Sequence, residues 1–256
     1  MTDQKKLSQT RTPNLVNPIC LALDVDTREQ AITWVTQLSP YLGCVKLGPR
    51  LVIKYGQDLA EPISKVLPVF IDCKFFDIPS TMCASVQACF DMGASLVTVH
   101  AMAGMKALKE VAILETKLKK IRPFMVTVVT VLTSQSEQDS MPIYEAGLSV
   151  EEQITRLAKM VQAVGLSSVV CSAHEAHLMR QMGLLPVVPG IRFEESSNPL
   201  TNKITQDDQA RKASPLYAIE QGAWSLVIGR PILKAQNPID TIKQVLASIS
   251  HEGSHS

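Results

Sequence analysis

The chain has 256 residues, 46% of them hydrophobic and 19% charged, with a formal net charge of +1. So even a balance offers no basic field for nucleic acid and no acidic excess for a basic partner, which leaves a small molecule as the expected partner. The length fits one large domain or two small ones, because a single α/β barrel reaches this size.

The six cysteines form no C-x-x-C pair and mostly sit in apolar runs, the pattern of free thiols in a reduced cytoplasmic compartment. Cys83 and Cys89 are too far apart for a close metal-ligand pair, so no metal site is expected. Residues 1–18 carry charge without an apolar core, which reads against a secretory signal, and no apolar run is long enough for a membrane span.

After a polar arm at 1–17, residues 19–23 (ICLAL) predict a buried strand ending at Asp24, and Thr27 an N-cap for a helix to Leu38. Residues 44–47 (CVKL) repeat the pattern with Lys46, and Gly48-Pro49 opens a helix over 50–66. The third strand begins at Val69 and the third helix at Pro79, running to about Met92. Strand four, 95–100, ends at His100, and a helix follows from about 105 to 121. Strand five, 124–132 (FMVTVVTVL), finishes in Thr133-Ser134. A polar loop then leads to Ser149, whose spacing to Glu152 predicts a capping box for a helix to about Val164. Strand six is 168–171 and strand seven 185–188, with a helix over 175–182 between them. A long polar segment, 193–213, reads as a functional lid or a disordered loop. A short helix at 215–221 precedes strand eight, 225–228, and a closing helix spans 238–249 before a disordered tail at 251–256.

Eight apolar strands alternating with helices, with no linker and no half-exposed alternation, predict one (β/α)8 TIM barrel over residues 18–250. A doubly wound open sheet is the rival, disfavoured by eight repeats without a second domain. Barrel enzymes build their sites at the carboxyl ends of the strands, where this chain carries Asp24, Lys46, Asp72, Lys74, His100, Thr133, Ser172, Arg192 and Arg230.

The densest of these stretches is 69–82, VFIDCKFFDIPSTM. Strand alternation points Asp72 and Lys74 to one face and Cys73 to the other, with Asp77 beyond the strand end and able to converge on the same point. In isolation D-x-K reads as an ion pair closing a strand; two lysines and two acids on the first three strands read as a reaction centre. Gly229-Arg230 after strand eight, with a polar lid after strand seven, suits a phosphate, since glycine admits backbone amides and arginine offers a bidentate fork. His100 reads as a packed, hydrogen-bonded residue, Ser172 as a strand-end hydroxyl, and the methionines of 102–105 as core filler.

The ordered motifs LALD (21–24), VKLG (45–48), D-x-K-x-x-D-I-P-x-T (72–81), VTVLTS (129–134), VVCSA (169–173), PGIR (189–192), DQ (208–209) and IGRP (228–231) resemble the orotidine 5'-phosphate decarboxylase family, bacterial type, over about residues 18–249. The D-x-K-x-x-D element alone is shared with sugar-phosphate decarboxylases and synthases of the same superfamily. Ser80 stands where asparagine is common, and the 193–208 loop is longer than in compact bacterial members.

The resemblance implies cofactor-independent decarboxylation of orotidine 5'-monophosphate to UMP in a homodimer with shared sites. It implies Lys74 as proton donor, Asp72 beside the substrate carboxylate, Lys46 as tether of that acid and the ribose, and Asp24 on a ribose hydroxyl. Asp77, Ile78 and Thr81 would reach into the partner's site. Thr133 or Ser134 would meet the pyrimidine, and Gln209, Gly229 and Arg230 the phosphate, with Arg192 at the base of the lid. A metal-dependent sugar-phosphate decarboxylase and a non-catalytic nucleotide-binding barrel are the competing readings.

Overall fold

A computed structural model describes residues 12–135, 147–193 and 213–250. Most of the polar arm, the 251–256 tail, the greater part of the expected lid and Gln209 lie outside the described residues.

Eight parallel strands close into a barrel in sequence order. They are β1 (Ile19–Ala22), β2 (Cys44–Leu47), β3 (Val69–Phe75), β4 (Leu96–His100), β5 (Met125–Val129), β6 (Ser168–Val170), β7 (Leu185–Val188) and β8 (Ser225–Ile228). Closure comes from β1 against β8, with Cys20 opposite Val227. Helices follow the strands: α1 (Arg28–Leu38), α2 (Pro49–Ser64), α3 (Pro79–Asp91), α4 (Gly104–Leu118), α5 (Val150–Ala163), α6 (Ala173–Gln181), α7 (Pro215–Glu220), α8 (Arg230–Leu233) and α9 (Pro238–Ser250). The barrel expected from the strand count is therefore present, and the open sheet is not.

The strands are apolar on both faces because each face has its own core. Ile19, Leu21, Val45, Leu47, Ile71, Val97, Val126 and Leu226 pack outward in one large cluster with the helices. Cys20, Ala22, Cys44, Phe70, Leu96, Met125, Val187 and Val227 form a second cluster, of opposite parity along the strands, that fills the barrel interior. At about 1.5–3 kcal/mol for each fully buried Leu, Ile or Val side chain, the outer cluster is the main stabilising layer. The inner one supplies the floor beneath the site.

Local sequence fixes the helix starts. Thr27 accepts from the Gln30 amide and Ser149 from the Glu152 amide, each in a reciprocal capping box. Pro49 and Pro79 occupy first-turn positions, where a missing amide costs nothing. Gly43 is needed at the start of β2: a Cβ there would lie 1.9 Å from the Asn17 carbonyl oxygen. The buried Glu115–Lys119 pair of α4 (3.0 Å) also ties the helix to β5, because Glu115 accepts the Val126 amide at 2.8 Å.

Three expectations need correction. β5 stops at Val129 rather than 132, because its neighbour β6 offers no pairing beyond Val170. Residues 130–134 leave the sheet and turn over the barrel mouth instead. Met102 and Met105 are 38% and 44% exposed rather than core, Met102 in a short 3-10 turn before α4 and Met105 in the first turn of that helix, off its buried face. Finally, β3 is not a regular strand: it bulges between Ile71 and Phe75 and Lys74 has a φ of 49°, although Asp72 and Lys74 both face the cavity as alternation implied. Cys73 does pack toward the outer core as expected.

Candidate active site

Phe70 and Asp72 continue the interior-facing series of β3, so Asp72 emerges at the carboxyl end of the barrel axis, buried to 9% exposure. A buried carboxylate requires partners, and it has three donors. Lys46 Nζ from β2 lies 3.2 Å from Oδ2. Lys74 Nζ donates to Oδ1 at 2.9 Å, and the Thr98 hydroxyl from β4 donates to the same oxygen at 3.0 Å. The backbone amide of Lys74 in turn donates to Thr98 Oγ1 at 2.8 Å.

The two lysines differ in exposure. The Lys46 side chain is 13% exposed and that of Lys74 39%, so Lys46 is enclosed while Lys74 presents its ammonium to the cavity. Lys74 is the sole non-glycine residue at positive φ among the described residues. That conformation costs about 1–3 kcal/mol, the kind of strain that persists where surrounding contacts over-determine it.

Burial is the largest influence on Asp72 and opposes its charge. Lys46, Lys74 and the Lys74 and Thr98 hydrogen bonds outweigh it and hold the carboxyl below its ordinary value. Burial likewise works against the Lys46 ammonium, but Asp72 and Asp24 outweigh it and raise its pKa. Asp72 and Lys46 thus favour each other's ionised forms.

Above them opens a cavity of about 410 Å³. Asp24, Lys46, Asp72, Lys74, Thr133, Ser134, Arg192, Gly229 and Arg230 all line it. Its apolar walls come from Phe70, Val129, Val170, Val187 and Val227. Asp24 and Gly229 meet where β1 closes on β8; a Cβ on Gly229 would lie 3.2 Å from Asp24 Oδ2. A side chain at Gly229 would thus press on Asp24 and Ala22.

Asp77, Ile78 and Thr81 do not line this cavity. Asp77 is exposed and caps the Ile78 amide at 2.7 Å, while Ile78 is 64% exposed at the entry to α3. The convergence of Asp77 with Asp72 and Lys74 does not occur within this chain. Ser172 is buried in a capping box with Glu175 at the start of α6. His100 is half-buried, accepts the Met102 amide at 3.2 Å and has its ring centroid 6.0 Å from that of Phe76. Among the described residues no group of three His, Cys, Asp or Glu side chains is placed to hold a metal ion, and no helix is long and apolar enough to cross a membrane.

A small cavity with two lysines and two carboxylates at the mouth of a closed barrel joins the comparison with known proteins. A family model described as orotidine 5'-phosphate decarboxylase / HUMPS family matches residues 17–245. The chain belongs to this family.

It is 36% identical over 245 residues to an orotidine 5'-phosphate decarboxylase of Neisseria meningitidis serogroup C (strain 053442), covering 93% of this chain and 95% of that one. An orotidine 5'-phosphate decarboxylase of Tolumonas auensis is 35% identical over 238 residues, or 91% and 98% of the two chains. The crystal structure of orotidine 5'-phosphate decarboxylase from Lactobacillus acidophilus superposes with a TM-score of 0.76 at 28% identity, covering 91% of this chain and 99% of that one. Within this orotidine 5'-phosphate decarboxylase / HUMPS fold, one contributor to the centre escaped the sequence reading: Thr98. Its signal was a lone hydroxyl in the apolar run LVTVH, two residues from Leu96 and so on the interior face.

Proposed function

We propose that this protein decarboxylates orotidine 5'-monophosphate to UMP, without metal or cofactor, in de novo pyrimidine nucleotide synthesis in the cytoplasm. The observation that carries this reading is the Lys46–Asp72–Lys74 array at one end of a cavity whose mouth holds Gly229 and Arg230. An anionic phosphate held by Arg230 and the β8 amides would leave the pyrimidine over the charge cluster.

The chemistry then follows from the electron count. The bond from C6 to the carboxylate breaks, carbon dioxide leaves, and the electron pair stays on C6 as a carbanion with little delocalisation. The Lys74 ammonium stabilises this charge as it develops and then transfers a proton to C6. Asp72 fixes that ammonium through the 2.9 Å contact and stands where the departing carboxylate is pushed away. Lys46 keeps Asp72 ionised and serves with Asp24 the ribose side of the cavity. Thr133 or Ser134 meets the pyrimidine; Arg192 and Gln209 assist the phosphate grip, whose binding energy is used at the reacting carbon.

The working form in this reading is a homodimer in which Asp77, Ile78 and Thr81 enter the partner's site. Support comes from their position outside their own cavity and from exposed apolar side chains: Phe76 and Ile78 are each 64% exposed, and Met102 and Met105 are partly exposed as well. Exposed apolar side chains of this kind suit burial against a second copy.

The test is the ultraviolet absorbance change on adding orotidine 5'-monophosphate to protein held in excess chelator. Turnover is the expected result. Dependence on a divalent metal would indicate the sugar-phosphate reading, and UMP binding without turnover a non-catalytic barrel.

A further inference from the structure

We propose that Thr98 is a positioning residue for the reaction, its single hydroxyl setting the backbone of Lys74 and the carboxylate of Asp72 in one geometry. The inference rests on the decarboxylase reading and deepens it, because it names what holds the proton donor in place.

The register of the sheet supplies the argument. β3 pairs Ile71 with Val97 and next pairs Phe75 with Val99, so Asp72, Cys73 and Lys74 lie opposite one residue, Thr98. A bulge that size interrupts the ladder and re-aims the side chains on it. It also leaves backbone groups to be satisfied by something other than the neighbouring strand. Thr98 Oγ1 does this, accepting the Lys74 amide at 2.8 Å while donating its proton to Asp72 Oδ1 at 3.0 Å. One oxygen therefore uses both its donor and an acceptor site on the first and last residues of the bulge.

Thr98 is fully buried, and its register neighbour Thr127 serves as an internal comparison. Thr127 Oγ1 shares a 3.1 Å hydrogen bond with Ser168, which also reaches the Leu185 carbonyl; neither contact involves the charge cluster. Two adjacent buried threonines in one barrel thus have different duties. The φ of 49° at Lys74 gives the Thr98 bond its purpose, since a lysine has little intrinsic reason to stay there. Without the hydroxyl, Lys74 can relax toward an ordinary strand conformation and carry its ammonium away from the reacting carbon.

The experiment compares wild type, Thr98→Val, Thr98→Ser and Thr127→Val in the full chain, measuring kcat on orotidine 5'-monophosphate and, by calorimetry, the Kd for UMP. Thr98→Val is expected to lower kcat about 10- to 100-fold with the UMP Kd within about twofold, because the phosphate contacts of Gly229 and Arg230 come from the end of β8 and not from β3. Thr98→Ser restores the hydroxyl and is expected to recover most of the rate, and Thr127→Val to keep it. If Thr98→Val does not fold, Thr98→Ala against Thr98→Ser gives the same contrast. The proposal is overturned if removing the hydroxyl leaves kcat unchanged, or if serine and valine lose rate and UMP affinity together. An inactive wild type would instead overturn the decarboxylase reading itself.

Discussion

Lys74 donates its ammonium to Asp72 Oδ1 at 2.9 Å from a backbone held in the left-handed region. Both ends of the lysine are therefore fixed, its amide by Thr98 and its ammonium by Asp72. This double restraint is what a proton donor needs if the site is to be organised before substrate arrives.

Asp72→Asn keeps the side chain's size and removes its charge. Lys46 then loses its closest carboxylate while still enclosed, so unfolding stability is expected to fall by about 3 kcal/mol, together with a rate loss on the order of 100-fold. Urea titration and steady-state kinetics measure the two. An Asp72→Asn protein as stable and as fast as wild type would show that the triad of charges is ornamental.

Arg230→Ala removes the cation at the β8 end of the cavity. Losing a charged hydrogen-bond pair at about 1.5–3 kcal/mol corresponds to roughly a 10- to 150-fold fall in kcat/KM, with thermal stability little changed. A variant whose KM for orotidine 5'-monophosphate is unaltered would place the phosphate elsewhere.

His100 provides a pH dependence. Burial chiefly, and then the Lys74 charge, lower its pKa in the folded protein. A group depressed on folding contributes stability that is present above its unfolded pKa, near pH 6.5, and is lost as the pH falls through the folded value. Wild type is therefore expected to lose more stability than His100→Asn between about pH 7.5 and about pH 5. Equal losses in urea midpoint would rule out this contribution.

The proposed sharing of sites between two subunits has a complementation test. Mixing equal amounts of inactive Lys74→Ala and Asp77→Ala subunits should restore about a quarter of the wild-type sites, since half the dimers are mixed and each carries one intact site. No recovery after demonstrated subunit exchange would confine Asp77 to a local role such as its cap on the Ile78 amide.

Most of the barrel was readable in the chain because each strand is a short apolar run closed by glycine, proline or a capping residue, and each signal is local. Ser149 and Glu152 meet as their spacing implied. The cavity lining from Asp24 to Arg230 was readable for a related reason: once strands are counted, polar residues at their ends have only one mouth to face. The β3 bulge was not readable, because it depends on how three residues of one strand accommodate one residue of the next. Thr98 was hidden for the same cause: its duty lies across the sheet, not along the sequence. Met102 and Met105 misled because composition suggests core, whereas their places in the turn and on the helix decide exposure.

The most direct measurement is the turnover of Lys74→Ala on orotidine 5'-monophosphate, alongside its affinity for UMP. With Lys74 as the donor, kcat should fall below detection while UMP still binds through the phosphate and ribose contacts. A Lys74→Ala protein that binds UMP and still decarboxylates at close to the wild-type rate would contradict the assignment.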